Sequence, residues 1–191
     1  MKIFVSFLLT VPITLTFLYC NQQPTTALND KPAISQDSLI KRGHYLVTIM
    51  ACNDCHSPKV FGPQGPMPDT TRLLSGHPAD MPVSKYDTGT AKNWILFNMF
   101  NTAIVGPWGT SFAANLTSDS TGIGSWTEQQ FFKAMREGKY KGLDGERMLL
   151  PPMPWPSYVH ATDEDLRAIF SYLKSTRPIK NVVPEPIPPG R

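Results

Sequence analysis

The 191-residue sequence is poor in charged residues and in cysteine. Charged side chains make up 17% of the residues and the formal net charge is +3, so the chain lacks the strongly basic surface typical of nucleic-acid-binding proteins and we expect no nucleic-acid partner. It also shows no nucleophile motif, phosphate-binding loop or paired carboxylates placed for acid–base chemistry. Proline is abundant instead: its 19 residues are roughly twice the average share. Long stretches should therefore be extended or irregular, and side chains alone should build only a small core.

The first 19 residues have the composition of a secretory signal peptide. Lys2 is followed by an apolar stretch that contains no acidic residue, is interrupted by Pro12 and is short for a transmembrane helix. An uncleaved membrane anchor is the alternative interpretation. The segment resembles the signal of bacterial lipoproteins, which implies cleavage before Cys20, lipidation of Cys20, and a membrane-tethered protein on the periplasmic side of a bacterial envelope. Residues 20–36 are then a flexible tether.

Three later segments have the periodicity of amphipathic helices. The first runs from Asp37 to about Ala51, with Gly43 on its apolar face. The second covers residues 126–138, where Thr127 and Gln130 form a capping-box pattern. The third extends from Thr162 to about Ser175, before Pro178. These helices place a domain at residues 37–178.

The rest of the chain is rich in proline and glycine. Residues 57–112 read as a long insertion between the first two helices, in which residues 94–105 predict one or two short strands, with a hairpin turn near residues 98–101. Residues 179–191 read as an extended Pro-rich tail.

The motif that carries chemistry is Cys52-Asn53-Asp54-Cys55-His56. This C-x-x-C-H pattern is the attachment signature of a c-type haem. Two thiols on one helical turn can each add to a vinyl group of the same porphyrin, and the adjacent histidine is then directed at the iron as an axial ligand.

Other interpretations of the two cysteines compete with haem attachment. A chance match is improbable with so few cysteines. A disulfide between cysteines this close is strained and leaves His56 without a role. A thioredoxin-like redox pair requires a βαβ context, and a zinc site requires a second ligand pair that would have to come from His44, His77 and His160.

Four blocks of the sequence resemble the class I cytochrome c domains, in particular the single-haem modules in cytochrome subunits of bacterial membrane dehydrogenases. The blocks span residues 42–173, with a poorly matching stretch at about 59–112, and read GHYLVTIMACNDCH, NLTSDSTGIGSWTEQQFFKAMREG, LPPMPWPSY and DEDLRAIFSYL. The resemblance implies a mainly α fold of three to five helices around one covalently bound haem. It also implies that the first and last helices cross near Gly43, against a face that includes Tyr172 or Leu173.

Met153 is the residue that we expect to be the second axial ligand of the iron. It lies in a loop that flanking prolines make rigid, and the resembled family carries its ligand in the matching Met-Pro block. Met148 is the nearest rival. The remaining alternatives are Met67, Met81, His77 and His160. Trp126 and Trp155 are candidates for packing against the haem, with ordinary core packing as the alternative for both.

These features predict an extracytoplasmic electron-transfer protein rather than an enzyme. Its redox partners would be a dehydrogenase or quinol-oxidising complex as donor and a terminal oxidase or soluble carrier as acceptor. One alternative is a haem sensor or peroxidase-like enzyme with a displaceable sixth ligand, although peroxidases that resemble this family use two attachment motifs. Another is a fixed subunit of an oxidoreductase complex that docks through the insertion.

Overall fold

The computed structural model describes residues 34–190, which form six α-helices and five short strands. The helices are α1 (Gln36–Ile49), α2 (Cys52–His56), α3 (Thr88–Ala91), α4 (Glu128–Glu137), α5 (Trp155–Tyr158) and α6 (Asp163–Ser175). The strands are β1 (Lys59–Gly62), β2 (Gly65–Pro68), β3 (Leu96–Phe97), β4 (Ala103–Gly106) and β5 (Gly109–Phe112). The predicted signal peptide and Cys20 lie outside the described residues. Within residues 34–190, no helix combines the length and the apolar character needed to cross a bilayer.

The three long helices are the ones that periodicity predicts, and helix exceeds strand within residues 34–190, which is consistent with the expected mainly helical domain. The six helices of the described range exceed the expected three to five, because α2, α3 and α5 have only four or five residues each. A segment of one turn is too short to display a helical repeat, so the sequence pattern does not reveal it.

The centre of the fold is the crossing of α1 and α6. Gly43 permits close contact: a Cβ atom built there would lie 2.0 Å from the Ala168 carbonyl oxygen and 2.7 Å from the Tyr172 Cβ. Only a glycine can occupy a backbone contact this short. The predicted crossing near Gly43 therefore involves Ala168 and Tyr172 of α6. The buried core cluster extends from this crossing to α4 and includes Leu46, Val47, Leu74, Ile123, Phe131, Met135, Leu166, Ala168, Ile169 and Leu173.

Local hydrogen bonds define the ends of α4. The Thr127 side chain accepts from the Gln130 backbone N–H, and the Gln130 side chain accepts from the Thr127 backbone N–H, which completes the predicted capping box. Gly138 ends the helix in the left-handed conformation at φ 64°. At the start of α6 the Thr162 side chain accepts from the Asp165 backbone N–H.

The insertion contains all five strands and is more ordered than the predicted loop with a hairpin. Strands β1 and β2 form one antiparallel hairpin, while β3, β4 and β5 form a three-stranded antiparallel meander. The predicted turn lies between β3 and β4, where the Asn98 side chain accepts from the Thr102 backbone N–H at 2.9 Å. Proline, glycine and strands of two to four residues obscured this regular structure in the sequence.

The tail is extended and is hydrogen-bonded to the insertion. The backbone N–H of Thr110 donates to the Ile187 carbonyl at 2.8 Å, and the Ile187 N–H returns a bond of 3.0 Å. Asn181 donates from its side chain to the carbonyls of Ser75 and His77. The tail thereby covers the free edge of β5.

Candidate functional site

The C-x-x-C-H motif forms its own one-turn helix, α2, instead of ending the first helix as expected. Ala51 separates α1 from α2 by adopting the left-handed conformation at φ 56° and ψ 31°. This break turns the chain, so that Cys52 and Cys55 are presented on a separate turn. Both thiols are half-buried and free.

Burial raises the pKa of both thiols and so favours their protonated form. It raises the pKa of Cys52 to about 11. Burial also raises the pKa of Cys55, with a further contribution from the negative charge of Asp54. Reactive redox cysteines of the thioredoxin type have a lowered pKa, which favours their thiolates. The electrostatics of this site are therefore unlike those of a redox dithiol.

The Nδ1 nitrogen of the His56 ring is hydrogen-bonded to the backbone, and the Nε2 nitrogen does not take part in that bond. Its Nδ1 lies 2.7 Å from the Ala114 carbonyl oxygen. A carbonyl can only accept, so Nδ1 carries the proton and Nε2 carries the lone pair. Burial lowers the pKa of His56 and favours the neutral ring. A neutral imidazole with Nδ1–H held by a carbonyl is the usual state of a metal-binding histidine.

The turn that carries His56 is held in place by residues to which the sequence patterns assign no role. Ser57 is fully buried; its Oγ accepts from the Leu74 backbone N–H at 2.8 Å and donates to the Asn53 side chain at 2.7 Å. The Gly76 backbone N–H donates to the His56 carbonyl at 2.8 Å. Leu74 and Gly76 lie well beyond the motif and contribute only backbone N–H groups, so no local pattern could reveal them.

Three of the predicted site residues pack against one hydrophobic cluster. Cys52, Trp126 and Met153 are all partly buried and all contact the core cluster of α1, α4 and α6. The turn of Cys52–His56, where we expect haem attachment, is called the attachment turn below. The structure thus brings this turn, the expected sixth ligand and one candidate packing residue to the same core.

The rival iron ligands lie in other environments. Met148 is 41% exposed and Met67, in β2, is 48% exposed. His77 is fully buried among residues of the insertion, with Nδ1 2.9 Å from Thr102 Oγ1 and Nε2 3.2 Å from the Met81 carbonyl. His160 is exposed. Both nitrogens of His77 therefore have partners inside the insertion.

The second candidate packing residue, Trp155, lies against the end of α4. A Cβ at Gly138 would lie 2.4 Å from its indole ring, so the glycine provides space for the ring as well as the cap. Tyr158, in the same block of sequence, lies close to the attachment turn: its hydroxyl donates to the Met50 carbonyl at 3.4 Å. Burial raises the pKa of Tyr158, and negative charge on the nearby Cys52 and Cys55 would raise it further. Sequence reasoning missed Tyr158, although its position in LPPMPWPSY was a signal.

The residues fit a covalently bound haem. Two protonated thiols lie on one turn, a neutral histidine beside them has Nε2 available, and a methionine packs on the same core. Thiols, imidazole and thioether are the groups that attach and ligate a c-type haem.

Comparison with known proteins finds several relatives that are cytochrome subunits of dehydrogenases. The gluconate 2-dehydrogenase cytochrome c subunit of Pantoea cypripedii is 33% identical over 147 residues, which are 76% of this chain and 24% of the relative. The fructose dehydrogenase cytochrome subunit of Gluconobacter japonicus is 31% identical over 79% of this chain and 23% of the relative. The cytochrome c subunit of the quinone-dependent alcohol dehydrogenase of Gluconobacter oxydans is 30% identical over 72% and 21%.

This chain is similar to cytochrome c subunits of dehydrogenases. It spans about a quarter of the length of these cytochrome c subunits. No protein-family model matches the chain. The similarity supports a cytochrome c module of the type that those subunits contain.

Proposed function

We propose that the protein is an electron-transfer module with one covalently bound haem c, ligated by His56 and Met153, and is not itself catalytic. It would carry single electrons from a dehydrogenase or quinol-oxidising donor to an oxidase or a soluble acceptor. The observation that carries the proposal is the bond between His56 Nδ1 and the Ala114 carbonyl, beside two free thiols on one turn. That bond leaves Nε2 as the ligating atom.

Each residue of the attachment turn has a distinct role in this proposal. Cys52 and Cys55 would hold the haem through two thioethers, in each of which the sulfur would be on one vinyl carbon and the former thiol hydrogen on the other. The Ala114 carbonyl fixes the tautomer of His56 and the orientation of its ring. When bound, the haem would supply a one-electron ferric–ferrous couple.

Met153 is favoured over Met148 and Met67 by its environment. It is partly buried against the same cluster as Cys52, whereas Met148 and Met67 are 41% and 48% exposed. A buried thioether ligand raises the reduction potential relative to a second histidine. The protein would therefore suit an acceptor of relatively high potential.

Substitution of Met153 tests the ligation and the alternative of a displaceable sixth ligand. We expect wild-type protein to be low-spin in both oxidation states, with a methionine-to-iron charge-transfer band. Met153→Ala should lose the band, lower the reduction potential and take up carbon monoxide in the ferrous state. Met148→Ala is the matched control and should keep the band. A wild-type protein that is high-spin when reduced and binds carbon monoxide readily would favour the sensor or peroxidase-like alternative.

A dehydrogenase partner is supported by the relatives and by the surface of the insertion. Seven large apolar side chains there are each 48–66% exposed, namely Val60, Phe61, Met67, Trp94, Ile95, Phe97 and Met99. The β1–β2 hairpin meets the segment after β3 through Phe61 and Phe100, whose ring centroids are 5.9 Å apart. Large exposed apolar side chains gathered in one segment of the chain are typical of protein–protein contacts, and they favour a fixed subunit over a freely diffusing shuttle.

Copurification distinguishes these two modes of partner contact. After mild detergent extraction, the wild-type chain should remain with a dehydrogenase subunit, and Trp94→Ser should weaken that association. Tyr45→Ser, which changes an aromatic residue that is 52% exposed on α1, is the control and should copurify like wild type. Recovery of the wild-type chain as a lone monomer would instead support the shuttle.

The membrane tether is the part of the proposal that rests on the sequence alone. Lipidation of Cys20 would hold the domain on the periplasmic side of a bacterial membrane, through the linker of residues 20–36. Cys20→Ser should release the protein into the soluble periplasmic fraction. Continued membrane association of that variant would point to an uncleaved helix or to a partner as the anchor.

A further inference from the structure

A hydrogen bond connects the sheet of the insertion to the loop that contains Met153. Ser111 of β5 donates from Oγ to the Pro151 carbonyl at 2.7 Å. Pro151 precedes Met153 by two residues. Among the described residues, this is the one side-chain hydrogen bond to the backbone of residues 150–154.

The surroundings of Ser111 direct its proton to Pro151. The side chain is nearly buried, with 7% of the residue exposed. A hydroxyl has one proton to donate, and its other acceptor, the Ile104 carbonyl, is more distant at 3.3 Å. The Trp108 indole Nε1–H in turn donates to Ser111 Oγ, at a distance of 3.3 Å between nitrogen and oxygen. The chain of bonds therefore runs from Trp108 through Ser111 to Pro151.

Strand β5 is a firm support for this bond because both of its edges are paired. Ser111 lies opposite Ile104 of β4 in the antiparallel register. On the other side, Thr110 and Ile187 of the tail exchange two backbone hydrogen bonds. A side chain on a strand paired at both edges has little freedom to follow a moving loop.

Two contacts with Gly138 restrain the Met153 loop near its ends, and within the loop the Met153 backbone N–H donates to the Leu150 carbonyl at 3.2 Å. The Leu149 backbone N–H donates to the Gly138 carbonyl at 2.6 Å before the loop, and Trp155 packs on Gly138 after it. Ser111 acts between these two points, next to the methionine.

We propose that Ser111 is a positioning residue for Met153, which it acts on through the Pro151 carbonyl. This role rests on the proposed ligation of the iron by Met153. The insertion sheet then does more than offer a docking surface: it keeps the thioether on the metal, and loss of the Ser111 hydroxyl lets the loop open more often.

The test compares Ser111→Ala with two controls in the holoprotein. Ser111→Thr keeps a hydroxyl. Ser118→Ala removes a comparable bond of 2.6 Å to the Thr176 carbonyl, away from the loop. The measurements are covalent haem content, the methionine-to-iron band of the ferric protein under increasing urea, and the rate of carbon monoxide uptake by the ferrous protein.

Ser111→Ala should retain its haem, lose the band at lower urea and take up carbon monoxide about fivefold faster, which is the effect of one neutral hydrogen bond on the opening of the loop. Ser111→Thr and Ser118→Ala should keep the wild-type rate. Trp108→Phe, which removes the donor to Ser111, should also make carbon monoxide uptake faster than in wild type, but by less than Ser111→Ala does. It serves as the comparison if Ser111→Ala accumulates poorly.

Two outcomes would contradict the inference in distinguishable ways. Wild-type uptake rates and band stability in both Ser111→Ala and Trp108→Phe would overturn the role of Ser111 while leaving the ligation by Met153 intact. Absence of the band from wild-type protein would overturn the ligation itself, and the positioning role with it.

Discussion

Ser57 joins the turn that carries His56 to the segment after β2. It is fully buried, and its Oγ is the acceptor for the Leu74 backbone N–H. Ser57→Ala would leave that N–H buried without a partner, which costs about 2 kcal/mol. We expect a fall of this size in the free energy of unfolding of the holoprotein, measured with urea. Ser84→Ala, at an exposed serine, should change it by less than about 0.5 kcal/mol; equal effects of the two substitutions would contradict the role assigned to Ser57.

Asp69 makes the stability of the same segment dependent on pH. Hydrogen bonds from the Thr71 hydroxyl and from the Arg72 guanidinium, the largest causes, lower the pKa of Asp69 to about 2. Because the pKa in the unfolded chain is about 4, the ionised carboxylate stabilises the fold above that pH and ceases to do so as the pH falls towards 2.

Asp69→Asn should therefore lower the free energy of unfolding by about 1 kcal/mol at neutral pH, a value reduced for screening by solvent. The difference from wild type should shrink between about pH 4 and about pH 2. Urea unfolding over this pH range measures it, with Asp80→Asn as a control at an exposed carboxylate. A difference that stays constant with pH would show that the charge of Asp69 is not what stabilises the segment.

At the scale of elements, the crossing of α1 and α6 reverses the usual effect of a glycine substitution. Replacing glycine by alanine inside a helix ordinarily stabilises it by about 1 kcal/mol. In Gly43→Ala the new methyl would lie 2.0 Å from the Ala168 carbonyl oxygen, and the helices would have to separate. We expect a loss of about 2 kcal/mol or more in thermal or urea unfolding. Lys41→Ala, at an exposed position of α1, should leave the free energy of unfolding nearly unchanged. If Gly43→Ala instead stabilised the protein, the two helices would be farther apart at their crossing than the structure indicates.

The elements also show what a sequence can predict. The helices α1, α4 and α6 were predictable because each is long enough for its apolar repeat and its caps to be visible, as with Thr127, Gln130 and Gly138 in α4. Haem attachment is predicted on a different ground, since the spacing of Cys52, Cys55 and His56 is itself the chemical signal, and it stays a prediction.

The rest depends on contacts between distant parts of the chain. Ser111 meets Pro151 across 40 residues, and His56 meets Ala114 across 58. Neither Ser111 nor Ala114 belongs to a periodic pattern or a motif, and the partner atom is a backbone carbonyl in both pairs. Strands of two to four residues likewise show too few alternations to be recognised. Such pairings become visible only when the fold has brought the residues together.

At the scale of the whole molecule, the tail holds the insertion to the helical part. Asn115 donates from its side chain to the Ile179 carbonyl at 2.8 Å. Asn181, two residues after Ile179, accepts from the Ala79 backbone N–H at 3.0 Å and donates to the Ser75 and His77 carbonyls. A Pro-rich segment suits this role, because it is extended before binding and loses little conformational entropy when it is fixed.

Removal of residues 179–191 should therefore expose the backbone of the insertion while leaving the helices intact. Amide hydrogen exchange should become about tenfold or more faster at Thr110, which loses Ile187, and at Ala79, which loses Asn181. The Leu166 amide, at the start of α6, should keep its protection. Asn181→Ala separates the two contacts, since it should make hydrogen exchange faster at the Ala79 amide and leave the Thr110 amide protected. Unchanged exchange at both amides after the deletion would mean that the tail lies on the insertion without stabilising it.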